Sequence, residues 1–144
     1  MNDNGTINEF NTKFERELQP LFIKFPAVLS AYVFGSMVQG LAQSHSDIDI
    51  AVRIDKNLTA EQSFDIRLQL IDEIERCLAS KIDVVILNKA SLKLIHQVIG
   101  GGKIIFARNL EIEMDYVVQK QKEYFDFKYY IEKDVEELKA FFSH

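Results

Sequence analysis

A chain of 144 residues with 47% apolar side chains is long enough to bury the core of one domain, which excludes disordered and collagen-like classes. Its formal net charge of −5 argues against a general nucleic-acid binder, whose affinity rests on Lys and Arg neutralising phosphates. With no run of about eighteen apolar residues, and an opening "MNDNGTINEF" that has neither a basic region nor an apolar signal core, the expectation is an untargeted cytoplasmic protein.

Residues 6 to about 25 read as helical, opening with Thr6 and Glu9 in capping-box spacing, with Pro20 marking a kink or break and Pro26 the end. "VLSAYVF" (28–34) is a β-rich run, "SMVQG" a turn or short helical start, and "DIDIAVRI" (47–54) a second strand. Thr59 and Gln62 form a second capping box. Phe64, Leu68, Ile71, Ile74 and Leu78 follow at helical spacing, which predicts an amphipathic helix over 60–79. Cys77, the only cysteine, falls on its apolar side and reads as core. "KIDVVIL" (81–87) is a third strand, 89–99 a helix ending at Gly100 to Gly102, and "KIIFA" (103–107) a fourth strand. A long helical tail completes the chain. This order predicts an α/β (α+β) fold, a small mixed sheet of about four strands flanked by helices, with residues 1–109 as the domain and 110–144 as its C-terminal helical extension.

The chemistry lies in "FGSMVQGLAQSHSDIDIAV" (34–52). Side chains two apart on a strand share a face, so Asp47 and Asp49 project together with Cα atoms roughly 6.6 Å apart. If the third strand pairs beside the second, Asp83 joins them across about 4.8 Å. Two such charges at 4 Å repel by about 4 kcal/mol at an effective dielectric of 20, so the cluster asks for a cation. Carboxylate-only ligation suits Mg²⁺ or Mn²⁺, whereas zinc would want His or Cys; His45, His96 and His144 are scattered in sequence. Gly35 and Ser36, where the first strand turns, offer free N–H groups and a hydroxyl to an anion. Each part alone has a bland reading, as a turn, a strand edge or a solvated carboxylate. In this order between apolar strand segments they describe a Mg²⁺-nucleotide site.

These residues resemble the DNA polymerase beta-like nucleotidyltransferase superfamily, and "VFGSMVQGLAQSHSDIDIAV" with "IDVVIL" is similar to the minimal nucleotidyltransferases that act as antitoxins in HEPN/MNT toxin-antitoxin pairs. The resemblance implies that Gly35 and Ser36 hold the triphosphate of ATP, and that Asp47, Asp49 and Asp83 bind two Mg²⁺ ions. It also implies AMP transfer from ATP to a tyrosine hydroxyl of a partner HEPN ribonuclease, which silences the toxin, within a hetero-oligomer and without direct nucleic-acid or membrane contact. The chain departs from many relatives in one respect: Met37 and Gln39 stand where they carry arginines. That leaves phosphate binding to another cation, Arg53 or a lysine the sequence does not place, with Arg53 equally readable as a plain solvated charge.

Two further readings stand beside this one. One is a non-catalytic antitoxin acting by occlusion, against which an intact carboxylate triad argues. The other is a small-molecule nucleotidyltransferase, for which 144 residues leave little room for a substrate domain. The tail carries nine acidic and five basic side chains from Leu110 onward and eight of the sixteen aromatics. Half of those aromatics are expected to pack the tail onto the domain, and the rest to form a docking surface for the partner.

Overall fold

The computed structural model describes residues 15–35 and 48–143. The elements are helix α1 (residues 15–23), β1 (Val28–Phe34), β2 (Ile48–Ile54), α2 (Ala60–Leu78), β3 (Ile82–Ile86), a 3₁₀ turn (Leu87–Lys89), α3 (Leu92–Gly101), β4 (Lys103–Ala107) and α4 (Leu110–Phe142). The Thr6–Glu9 capping box and the "SMVQG" turn lie outside the described residues. α1 runs through Pro20 without a break.

The four strands form one mixed sheet in the order β3-β2-β1-β4. β1 is antiparallel to both β2 and β4, while β2 and β3 are parallel and joined by the α2 crossover. Period-2 alternation gives the sheet two faces. Ile48, Ile50, Val52 and Ile54 of β2 pack with Ile82 and Val84 of β3 against Leu18 and Phe22 of α1 and Leu70 and Ile74 of α2. The opposite face carries Tyr32 and Ala51 against Leu87, Ile95 and Val98, with Val117 of α4 beside them. Register shifts in β1 between Val28 and Ser30, so Val28, Ala31 and Val33 all reach the first face despite their odd spacing.

The Thr59–Gln62 capping box forms as expected, Gln62 N–H donating to Thr59 Oγ1 at 3.1 Å and Thr59 N–H to Gln62 Oε1 at 2.9 Å. The apolar stripe of α2 holds at Ile71, Ile74 and Leu78, which pack on the core, and is corrected at its N-terminal half. Its buried residues are Ser63, Leu70 and Ile74, whereas Phe64 and Leu68 are exposed. At 100° per residue the buried arc is rotated roughly a quarter turn from the expected one. Cys77 is also exposed rather than core: it sits in the last turn of α2 on an open crevice beside Glu17 and Pro20. Partial burial first, then the Glu17 carboxylate, push its thiol pKa up.

α3 starts three residues later than expected, at the Ser91 cap, where Leu94 N–H donates to Ser91 Oγ at 3.2 Å. It also runs through Gly100 and Gly101 to the Gly102 cap. A Cβ at Gly102 would lie 2.5 Å from the Val98 carbonyl oxygen and 2.8 Å from that of Val33, so the entry into β4 requires glycine.

α4 is a single helix of 33 residues, about 50 Å long. Its base packs on the domain, and His96 of α3 stacks on Tyr124 with centroids 3.7 Å apart. From Phe125 to Ser143 every residue is exposed. Six of the eight tail aromatics therefore face solvent and only Tyr116 and Tyr124 are half-buried, fewer than the half expected to pack.

Candidate functional site

The carboxylates meet because of strand register. In the parallel pair Asp49 of β2 is the direct partner of Asp83 of β3, and in the antiparallel pair Phe34 of β1 is the partner of Asp49. Paired residues on neighbouring strands point to the same side of the sheet, so the two carboxylates share one face at one end. Gly35 follows β1 with φ +83, in the left-handed region that side chains disfavour. A Cβ built there would lie 2.5 Å from Asp49 Oδ2 and 3.4 Å from its Cγ. Glycine thus lets the β1 turn lie directly against the Asp49 carboxylate.

Asp83 is 53% exposed and ion-paired with Arg67 of α2, Nη2 to Oδ1 at 3.1 Å, while Arg67 Nε donates to the Val84 carbonyl at 2.7 Å. Arg67 reaches around the outer edge of β3, satisfying an edge carbonyl and one candidate carboxylate at once. Asp47 and Ser36, with Met37, Gln39 and His45, lie outside the described residues. Among the described residues no three His, Cys, Asp or Glu side chains gather as a metal site. Asp49 and Asp83 supply two hard oxygen donors of the kind Mg²⁺ or Mn²⁺ takes.

Arg53 holds neither of the roles foreseen for it. Its side chain is 15% exposed and its Nε donates to Glu113 Oε1 at 3.0 Å. Glu113, in the first turn of α4, is fully buried, and its second carboxylate oxygen accepts a hydrogen bond from the Tyr32 hydroxyl. The Arg53 guanidinium also lies 4.7 Å from the centre of the Tyr116 ring. Burial above all, reinforced by the hydrogen bond to Glu113, pushes the Tyr32 phenol pKa upward. Burial raises that of Tyr116 to about 12, against the opposing pull of Arg53. This buried cluster joins β1, β2 and α4. Glu113 drew no notice in the sequence, where it is one of nine acidic residues in a charged tail.

The chain matches the family described as Polymerase beta, Nucleotidyltransferase over residues 16–111, two thirds of its length, and belongs to that family. It is 36% identical over 90 residues to the protein adenylyltransferase MntA of Shewanella oneidensis, an alignment covering 62% of this chain and 61% of that relative. Among solved structures it is similar to a toxin-antitoxin with AMP-PNP, at 26% identity and TM-score 0.65 over 89% of this chain and 97% of the other. It is also similar to a mutant of the toxin-antitoxin MntA-HpeT, at 28% identity and TM-score 0.60 over 96% and 98%. A tri-AMPylated HEPN toxin in complex with an MNT antitoxin, from the same Shewanella, shares the fold at 24% identity and TM-score 0.63, with 89% and 98% covered. No helix among the described residues is long and apolar enough to cross a membrane.

Proposed function

We propose that the protein is an antitoxin that transfers AMP from ATP to a tyrosine hydroxyl of a partner HEPN ribonuclease. The observation that carries this reading is the register of Asp49 against Asp83, with the Gly35 turn lying on the Asp49 carboxylate. Family membership supports nucleotidyl transfer; the likeness to an adenylyltransferase and to a toxin-antitoxin bound to AMP-PNP supports ATP as donor and a toxin as acceptor.

Asp49 and Asp83, joined by Asp47, would hold Mg²⁺. When bound, the ion offsets carboxylate repulsion and neutralises charge developing on phosphate oxygens. The Gly35 turn, with Ser36, would receive the triphosphate through backbone N–H groups and a hydroxyl. In the transfer the acceptor hydroxyl gives up its proton to solvent, its oxygen forms a bond to the α-phosphorus, the bond to the bridging oxygen breaks, and pyrophosphate leaves. Arg67 would hold Asp83 in place before the nucleotide arrives.

The exposed half of α4 supplies the docking element. Phe127, Ile131, Val135, Leu138 and Phe142 recur at spacings of three and four, which sets them along one side of the helix, all of them exposed. Acidic residues intersperse them, and opposite charge on the partner would speed encounter. Truncation after Asp126 should remove partner binding while metal-dependent nucleotide binding persists.

The deciding experiment is transfer of radiolabelled AMP to a co-expressed HEPN ribonuclease, with Asp49→Asn and Asp83→Asn as controls. Labelling of the partner that both variants abolish is expected. Toxin neutralisation that survives Asp49→Asn would replace this reading with antitoxin action by occlusion.

A further inference from the structure

A cavity of about 890 Å³ opens at the far end of the sheet. Arg53, which lines it, lies four residues beyond Asp49 along β2, about 13 Å at the rise of a strand. The cavity is therefore separate from the Gly35, Asp49 and Asp83 corner.

Its lining departs from the rest of the molecule in charge. In a chain of net charge −5, four cations, Arg53, Lys56, Lys89 and Lys120, face one carboxylate, Asp55. Asp55 already accepts a hydrogen bond from the Asn57 N–H at 2.9 Å. Arg53 is engaged by Glu113, and Lys120 by Glu123 at 3.1 Å. Lys56 and Lys89 are exposed and make no ion pair among the described residues. The walls between these cations are apolar, formed by Leu29, Leu58, Leu87 and Ile95.

The cavity is also braced. Asn88 Nδ2 donates to the Ile54 carbonyl at 2.7 Å and its Oδ1 accepts from the Ile54 N–H at 3.0 Å, tying the end of β2 to the 3₁₀ turn that carries Lys89. Tyr116 on α4 closes another side, with Arg53 and Lys120 both against its ring. A concave site within the range of about 300 to 1,000 Å³, apolar in its walls with a few convergent charges, has the build of a small-ligand pocket.

We propose that this cavity binds a small organic phosphate, an anion of two charges with a compact ring-bearing body, the phosphate lying between Lys56 and Lys89 and a flat ring face against the leucine walls. The two unpaired lysines supply the charge that recognition requires, and the apolar walls exclude a fully hydrated ion as the preferred occupant.

The test uses the full chain in EDTA, with 5′-AMP as the phosphorylated probe, adenosine as its uncharged counterpart, and backbone NMR shifts as the readout. AMP should bind saturably with submillimolar Kd, shifting signals from residues 53–58 and 87–90, and adenosine should bind at least tenfold more weakly. Lys56→Ala with Lys89→Ala should weaken AMP tenfold or more, as should raising salt from about 50 to about 500 mM, which shortens the screening length. Asp49→Asn should leave this binding unchanged. Adenosine binding as tightly as AMP, or AMP binding lost in Asp49→Asn yet retained in the double lysine variant, overturns the proposal. AMP transfer to a partner in the lysine variant at the parent rate is expected as well, since these lysines lie outside the transfer corner.

Discussion

Replacing Glu113 with leucine should destabilise the protein by about 3 to 5 kcal/mol, the scale of a buried ion pair deprived of one member. The carboxylate is fully buried and accepts from Arg53 Nε and Nη2 on one oxygen and from the Tyr32 hydroxyl on the other. Without it, a guanidinium 15% exposed loses its counter-charge and a buried phenol loses its acceptor. Such a loss is a large share of the 5 to 15 kcal/mol that typically stabilises a domain, so the milder Glu113→Gln, which keeps volume and one acceptor, provides a second reading at about half the cost. Urea unfolding of each variant gives the values. The sharper measurement is the triple replacement Tyr32→Phe, Arg53→Met and Glu113→Leu, which removes the polar cluster as a unit. It should be more stable than Glu113→Leu alone, because no charge is then left buried without a partner. A cost below 1 kcal/mol for Glu113→Leu, or additive effects across the three positions, would refute the view that one desolvated cluster fastens α4 to the sheet.

Gly35→Val should abolish nucleotide transfer and lower stability, since its Cβ would clash with Asp49 Oδ2 and φ +83 disfavours a branched side chain; transfer at the parent rate would separate Gly35 from the site. Ala79 caps α2 at φ 51, so Ala79→Gly should raise stability by about 1 kcal/mol in the same urea assay. The Tyr116 phenol titrates near 12 in the fold against an ordinary 10.0, so its contribution is complete below about pH 10 and is lost as pH rises toward 12. Thermal melts across that range should fall with pH, and Tyr116→Phe should fall less steeply.

Strand positions were legible where alternation and β-branching agree, as in β1, whose observed bounds are those of the run "VLSAYVF". The α2 start was legible through Thr59 and Gln62, because a capping box is local chemistry contained in four consecutive residues. What escaped depends on distant parts of the chain. Phe64 and Leu68 share helical spacing with Ile71 and Ile74, but the sheet takes the arc through Leu70, and only the packing of α2 on β3 decides between overlapping arcs. Glu113 meets Arg53 across 60 positions and Tyr32 across 81, and nothing in a helix rich in acidic residues distinguishes the one that turns inward. The joining of Asp49 with Asp83 was readable only on the condition that their strands pair, and the parallel register meets that condition. The remaining members of the expected site, Asp47 and Ser36, are outside the described residues.

The same alternation that joins the carboxylates keeps Arg53 from serving them. Asp49, Ala51 and Arg53 lie on one face of β2, two residues apart in turn, so the strand carries a carboxylate at one end and a guanidinium at the other on the same side. Their Cα atoms are about 13 Å apart at the rise of a strand. Arg53 is further held by Glu113, so moving it toward a triphosphate at Gly35 would leave that buried carboxylate without its cation. Met37 and Gln39, outside the described residues, are uncharged. Among the described residues the cation that does stand beside a candidate carboxylate is Arg67, already bridged to Asp83 at 3.1 Å and to the β3 edge at Val84. Its position on α2, the crossover between the parallel strands β2 and β3, means that the element linking the two aspartate-bearing strands also carries, among the described residues, the cation paired with Asp83.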